Sequence, residues 1–217
     1  MSRTRKPALG SVRIIGGRWR GTRLAVANHA GLRPTPDRVR ETVFNWLQPV
    51  LPGARVLDLF AGSGALGLES LSRGAGHATL IESDPDLAGA LRAVAARLQG
   101  GHAADIIQAD AAGWLASQPQ DSFDIAFVDP PFTDDLWDRV LPLLLPRMRE
   151  GGWLYLESPA GLAPALPANW ALHREGRTRE VRYALYARRP RALAGADTLA
   201  AASGNHTSGN GSDPKIK

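Results

Sequence analysis

Asp129-Pro130-Pro131-Phe132 close an apolar run, Phe123–Val128, that reads as a buried strand ended by a turn. Two consecutive prolines fix φ and offer no N–H, so the loop is stiff and its carbonyls are free. It presents one carboxylate (Asp129), one carbonyl (Pro130) and one aromatic ring (Phe132). That set suits a flat base whose exocyclic NH2 is held by two acceptors. Such an amine is a poor nucleophile, because its lone pair is delocalised into the ring. If Asp129 accepts from one N–H and the Pro130 carbonyl from the other, the nitrogen can rehybridise toward an electrophile. Asp129 then stabilises the positive charge and takes the proton. Phe132 would stack on the base, a contact worth about 1–3 kcal/mol. By itself the tetrapeptide could also be a rigid surface turn.

The second element lies upstream. Asp58-Leu-Phe-Ala-Gly-Ser-Gly-Ala-Leu-Gly67 sits where an expected first strand turns into a helix. Glycines there let the backbone approach a ligand beside outward-pointing helix N–H groups. Gly62, Gly64 and Gly67 match G-x-G-x-x-G, and Glu82 follows about twenty residues on, placed for ribose hydroxyls. The glycines alone do not choose between a dinucleotide and another adenosine cofactor. Asp58 shifts the balance: its charge at the mouth of the loop repels a pyrophosphate but can hold an ammonium group. S-adenosylmethionine, with adenosine at one end and an amino acid at the other, fits better. The plainer alternative is a tight strand–helix turn with a capping Asp. Asp110, after the third strand, could accept from an adenine amino group or cap the next helix.

The elements that must position these residues alternate. Strands are expected at Arg55–Phe60, Ala78–Glu82, Asp105–Gln108, Phe123–Val128 and Gly152–Glu157. Helices are expected at 65–72, 85–98, around Trp114-Leu115, and at 135–149, the last bent by Pro142 and Pro146. Strand–helix repeats at this spacing imply a parallel sheet covered on both faces. Two segments without a helix between them, 170–174 and 180–187, make a terminal hairpin. Upstream, Val12–Ile15 and Thr22–Val26 form a hairpin around Gly-Gly-Arg-Trp-Arg-Gly. A helix then starts with Thr35 as N-cap and stops before Pro49, with Val39, Val43, Phe44, Trp46 and Leu47 at helical spacing. Residues 1–10 and the Gly/Ser/Asn-rich 190–217 read as disordered. The organisation is therefore a basic arm and hairpin (1–31), a main domain (32–189) and a tail (190–217).

Bulk properties narrow the classes. At 217 residues and 44% hydrophobic content the chain can bury a substantial core. Absence of cysteine excludes disulfides and thiolate metal sites. The five histidines show no metal spacing and read as structural or exposed. No stretch reaches the ~18 apolar residues of a membrane span, and no secretory signal is evident, so a cytoplasmic protein is expected. Residues 1–40 hold ten Arg or Lys and one acid, Asp37, a balance of +9, so the remainder carries −4 of the net +5. A basic arm on an acidic body suggests a polyanionic partner, with Arg13, Arg18, Trp19, Arg20 and Arg23 as contacts. A solubility tail is the alternative, though such tails rarely carry Trp and apolar pairs such as Ile14-Ile15. Trp114 and Trp153 read as core; Glu157, at the end of the fifth strand, either borders the cleft or, as the preferred reading, forms a turn.

The glycine-loop segment 58–74 and Asp129–Phe132 resemble the bacterial 16S ribosomal RNA guanine-N2 methyltransferases of the RsmD family. So do Arg13-Ile-Ile-Gly-Gly-Arg-Trp-Arg-Gly-Thr-Arg-Leu24 and Leu32-Arg-Pro-Thr-Pro-Asp-Arg-Val-Arg-Glu-Thr-Val-Phe-Asn-Trp-Leu47. The first two motifs occur in many amino-methyltransferases; the N-terminal blocks narrow the family. The resemblance spans about residues 11–188. It implies methylation of a guanine exocyclic amine in small-subunit RNA, on assembled 30S particles. It also implies roles: Asp58, Phe60, Ala61, Gly62 and Gly64 at the methionine end of S-adenosylmethionine, Glu82 at the ribose, Asp110 at the adenine, and Asp129, Pro130 and Phe132 at the base. The Arg33–Arg40 block, with Thr35 and Arg38, corresponds to a segment that closes over the cofactor. The chain departs from the pattern at its polar tail and at Pro36.

The expectation is thus an α/β, Rossmann-like class I methyltransferase fold: a seven-stranded sheet with an antiparallel last strand, plus a small N-terminal β-hairpin. The protein is expected to be a monomer acting on 16S RNA in the 30S subunit, without membrane association. Three rivals stay open. A DNA adenine or cytosine amino-methyltransferase uses similar loops, but the chain lacks room for a target-recognition domain. An NAD-dependent oxidoreductase needs a hydride-transfer constellation that is not seen. The third is a non-catalytic RNA-binding factor on the same fold.

Overall fold

A computed structural model describes residues 11–25, 35–132 and 136–190. The proposed disordered stretch 1–10, the proposed tail 190–217 except Pro190, and Arg33 of the closing block lie outside the described residues.

The central sheet has seven strands in the order β5-β4-β3-β6-β7-β9-β8. These are β3 (Arg55–Asp58), β4 (His77–Glu82), β5 (Ala104–Gln108), β6 (Phe123–Val128), β7 (Met148–Pro159), β8 (Trp170–Arg177) and β9 (Val181–Arg188). The first five are parallel, and β9 runs antiparallel to both β7 and β8. The last strand of the chain is therefore inserted antiparallel, as expected. A separate two-stranded sheet pairs β1 (Ser11–Arg13) with β2 (Arg23–Ala25), placing Val12 opposite Leu24.

Side chains alternate across the strands, and both faces are buried. Val56, Leu80, Ile125, Phe127 and Tyr155 face one core with α1 (Asp37–Leu47), α2 (Ala65–Ser72) and α3 (Pro85–Ala95). Leu57, Ile81, Ala126, Val128, Leu154 and Leu156 face the other with α4 (Ala111–Ala116) and α5 (Leu136–Leu144). The hairpin joins the first core through Ile14, Trp19 and Leu24. It is also sewn to the end of α2: Arg18 N donates to Ser72 O (2.8 Å) and Trp19 N to Ser72 Oγ (2.9 Å).

Three local expectations are corrected. The helix expected over 135–149 stops at Leu144. Leu145–Arg147 form a single 3-10 turn, and Met148 and Arg149 already belong to β7. Pro146 cannot donate to the preceding turn and disfavours helix before it, so the chain leaves the helix there. The helix expected over 85–98 likewise ends at Ala95. Finally, Thr35 is not the N-cap of α1. Pro36 holds that place with no side-chain capping bond, and the Thr35 hydroxyl is used elsewhere.

A buried ion cluster fastens α1, α2 and the hairpin. Arg40 is fully buried; its guanidinium reaches Glu69 (3.0 Å), Asp37 (2.6 Å) and the Arg13 carbonyl (2.9 Å). Glu69, also buried, accepts from Arg73 (2.8 Å) and from the Ile15 N–H (3.3 Å). Burial pushes the Glu69 pKa up, against the opposing pull of Arg73, the Ile15 N–H and Arg40.

Candidate active site

In the strand order, β3 is followed on one side by β4 and on the other by β6, so the connections leave β3 and β6 in opposite directions. Ligands in open α/β sheets bind beyond the carboxyl ends of the strands at such a point. Here the glycine loop after β3 meets the Asp129–Phe132 loop after β6. Asp58 lies opposite Phe127 in the ladder, and Leu59 N donates to Phe127 O (3.1 Å). The topology thus brings together two motifs that are far apart in sequence.

The glycine loop is held from behind. Asp58 is buried, accepts from Gly67 N (2.8 Å) and is also bonded by the Phe60 N–H. Its pKa is pushed up to about 7, first by burial and then by the charge of Glu82, against those two N–H bonds. Asp58 therefore shapes the loop and sets its charge from beneath; it is not an open carboxylate at the rim. Gly64 takes a left-handed conformation (φ 76°) at the N-cap of α2, which side chains with a Cβ adopt at a cost. Gly67 packs against β4: an added Cβ would come within 2.7 Å of Leu80. Ala61 is buried with its N–H on Ile81 O (2.9 Å), and Phe60 is half-buried against the second core. Glu82 accepts from Gly62 N (2.8 Å) and Asp84 N (2.9 Å), which ties the loop to the end of β4. Asp110 caps α4, accepting from Gly113 N (2.9 Å), and pairs with Arg139 (3.2 Å) while staying exposed.

On the other loop, Pro130 is buried, Asp129 half-buried and Phe132 41% exposed, with its ring against Trp137 (5.8 Å between centroids). The Asp129 pKa is raised well above the ordinary value. Burial is the main cause, followed by the charges of Glu157 and Asp58, and the Thr35 hydroxyl works against them.

Glu157 is the residue that sequence reading ranked wrongly, preferring a turn to the cleft border. It is not in a turn. It stands in β7 with 4% exposure and accepts from Tyr155 OH (2.6 Å) and Thr35 Oγ1 (2.9 Å). The signal was available: an acid closing the otherwise apolar Trp-Leu-Tyr-Leu run of a parallel strand is buried only for a reason. With it, each of the five parallel strands ends in or leads into an acid: Asp58, Glu82, Asp110, Asp129 and Glu157.

The remaining site residues are placed as follows. Arg38 is exposed on the first turn of α1. Arg18, Arg20 and Arg23 are exposed on the hairpin, and Arg13 pairs with Asp37 (3.0 Å). Trp19 corrects an expectation: it is 6% exposed and its indole N–H donates to Gln99 O (3.1 Å). It anchors the hairpin and is not free to stack on a nucleotide. Arg18 covers its ring (4.6 Å). Trp114 and Trp153 are half-buried against the two cores. Among the described residues no cluster of three His, Asp or Glu could hold a metal, and no helix is long and apolar enough to cross a membrane.

Comparison with known proteins places this geometry. The model of the family described as "Conserved hypothetical protein 95" matches residues 12–187. Ribosomal RNA small subunit methyltransferase D of Escherichia coli K12 is 48% identical over 196 residues, covering 87% of this chain and 96% of that protein. Its namesake from Haemophilus influenzae is 42% identical over 188 residues, covering 82% and 95%. The solved structure of yhhF from Escherichia coli superposes with a TM-score of 0.74 at 47% identity, over 83% of this chain and 99% of that one. An RNA methyltransferase from Salinibacter ruber, solved with S-adenosyl-L-homocysteine, shares the fold at 17% identity (TM-score 0.56, 74% and 99% covered). With the family model spanning nearly all of the described chain and relatives matching almost end to end, the protein belongs to the RsmD family of ribosomal RNA small subunit methyltransferases.

Proposed function

We propose that the protein methylates the exocyclic N2 of a guanine in 16S ribosomal RNA, using S-adenosylmethionine and acting on the assembled 30S particle. The observation that carries the reading is the acidic edge at the switch point, with a proline-stiffened acceptor loop and an exposed ring beside it. That edge would repel the pyrophosphate of a dinucleotide and favours a ligand carrying positive charge. It disfavours the oxidoreductase reading for the same reason. When bound, the cofactor supplies an electrophilic methyl group on a sulfonium leaving group.

The chain's own residues do the rest. The Gly62–Gly64 turn and the start of α2 offer backbone to the methionine end, Asp58 charges that end, and Glu82 and Asp110 border the ribose and adenine. Phe132 stacks on the guanine. Asp129 and the Pro130 carbonyl hold its two amine hydrogens, and Asp129 receives the proton that leaves. Positioning of this kind provides much of the rate. Arg18, Arg20 and Arg23, exposed on the hairpin that is bonded to the end of α2, are assigned to RNA phosphates, and Arg38, exposed on the first turn of α1, to the cofactor.

Transfer of tritiated methyl to 30S subunits lacking the modification, with naked 16S RNA and DNA alongside, tests the reading. Label in RNA as N2-methylguanosine supports it; label only in DNA, or none despite cofactor binding, overturns it.

Two further expectations arise here. Positive charge on the cofactor favours ionised Asp58, whose pKa near 7 means that it is mostly protonated below that pH. Binding must then expel a proton, so affinity falls as pH falls. Calorimetry between pH 8 and 6 should show S-adenosylmethionine weakening by about tenfold if Asp58 alone titrates. S-adenosylhomocysteine, lacking the sulfonium charge, should weaken less. Equal affinity at both pH values would exclude a charge role for Asp58. Second, replacing Arg18 and Arg20 together with Ala should weaken RNA binding, lower the slope of log K against log salt by about 1.5, and leave cofactor affinity intact. An unchanged slope would remove the hairpin from the RNA interface.

A further inference from the structure

Thr35 Oγ1 lies 2.9 Å from Glu157 Oε1 and 3.4 Å from Asp129 Oδ2. A hydroxyl has one proton to donate and two lone pairs. The shorter contact draws most of that proton, so the donation to Asp129 is weak, and Oγ1 keeps a lone pair to accept from Asp129 once that carboxyl is protonated. The same Glu157 Oε1 also accepts from Tyr155 OH (2.6 Å), itself buried, and the Glu157 backbone carbonyl accepts from the Trp137 indole (3.0 Å). One buried and one half-buried carboxyl group thus face one hydroxyl, at the loop proposed to receive the base. Burying two anions side by side is costly unless they share a proton. A structural pair would gain more from apolar side chains. Pairing them makes sense where a proton has to be received.

Building on the proposed methylation, we infer that Glu157 is a positioning residue for the transfer. Through the Thr35 hydroxyl it prepares Asp129 to accept the proton released by the amine. The balance is simple. As the amine nitrogen bonds to the methyl carbon, the carbon–sulfur pair leaves with sulfur, and the nitrogen's N–H proton moves to an Asp129 oxygen. Protonated Asp129 then donates to Thr35 Oγ1, Thr35 donates to Glu157 Oε1, and Tyr155 donates to the same carboxylate. Every proton in the chain has an acceptor, and such chains strengthen one another. Without Glu157 the Thr35 hydroxyl is free to donate to Asp129, which stabilises the ionised form and makes it the weaker acceptor.

Glu157→Gln keeps the shape and removes the charge. The expected result is an approximately tenfold or greater loss of kcat with cofactor affinity retained. The Asp129 titration, followed by 13C NMR of the carboxyl carbon in the free protein, should shift to lower pH. Thr35→Val should lose rate similarly and Thr35→Ser should restore it. A Glu157→Gln protein with wild-type kcat and an unmoved Asp129 titration overturns the inference, as does a slower enzyme whose Asp129 titration has not moved. If Glu157→Gln does not fold, the Thr35→Val and Thr35→Ser pair decides on the same two readouts. Absence of methyl transfer by the wild-type protein would count against the methylation reading instead, while the NMR titration still judges the coupling of the two carboxyls.

Discussion

Replacing Asp129 with Ala should abolish turnover while leaving S-adenosylmethionine bound. Asp129 is the half-buried carboxyl directly after β6, and on the proposed mechanism it receives the proton of the amine. Loss of a positioned acceptor of this kind costs about 10²–10⁴ in rate. Asp129→Asn keeps an oxygen acceptor for one N–H and cannot take the proton, so it should fall between Ala and wild type. The pH dependence follows from the raised pKa of Asp129, caused by burial and by its acidic neighbours Glu157 and Asp58. Only the ionised form accepts a proton. The rate should therefore rise with pH through the acid range, its limb lying above the ordinary carboxylate range. Single-turnover kinetics with saturating RNA read both effects. An Asp129→Ala protein within a few-fold of wild type would refute the assignment.

The second large effect concerns stability. Arg40 and Glu69 have no exposed side-chain surface, and they join α1, α2 and the hairpin. Removing one partner of a buried pair leaves the other charge uncompensated, at a cost of about 3–5 kcal/mol. Arg40→Ala and Glu69→Ala should each lower the melting temperature by roughly 6–20 °C. The double variant should lose less than the sum, because the second change removes the orphaned charge. The hairpin hangs on Glu69 through Ile15, so RNA binding should weaken in both single variants as well. A drop of less than about 1 kcal/mol in denaturant titration would mean that the cluster is not a fastener.

These expectations show where the sequence was legible. The β6 strand, the α2 helix and the terminal hairpin were readable because each has a local cause: an apolar run closed by prolines, a glycine turn, and strands without an intervening helix. Parallel strands buried on both faces read as nearly continuous apolar runs, and this gave away the sheet. The helix expected over 135–149 was read too long, because a hydrophobic run does not say whether it continues as helix or strand once Pro146 interrupts it. Trp19 was misread for a related reason. A Trp among arginines looks like a nucleic-acid contact, and only the packing of the hairpin on α2 and α3 turns its indole inward to Gln99.

The chemistry divides in the same way. Residue types and spacing alone marked out the proline-stiffened loop at 129–132, the glycine turn at 62–67, the basic N-terminal charge and the acids at positions 58, 82, 110 and 129 as candidates, because each depends on neighbours within a few residues. The tertiary structure decided three things. Asp58 lies beneath its loop and not at the rim. Thr35 places its hydroxyl between two carboxyl groups, and Pro36 occupies the N-cap position of α1 with no side-chain bond. Glu157 stands buried next to Asp129. These depend on contacts across 94 and 122 positions of chain, from Thr35 to Asp129 and to Glu157. No local pattern encodes such contacts; they exist only once β6 and β7 are neighbours in the sheet.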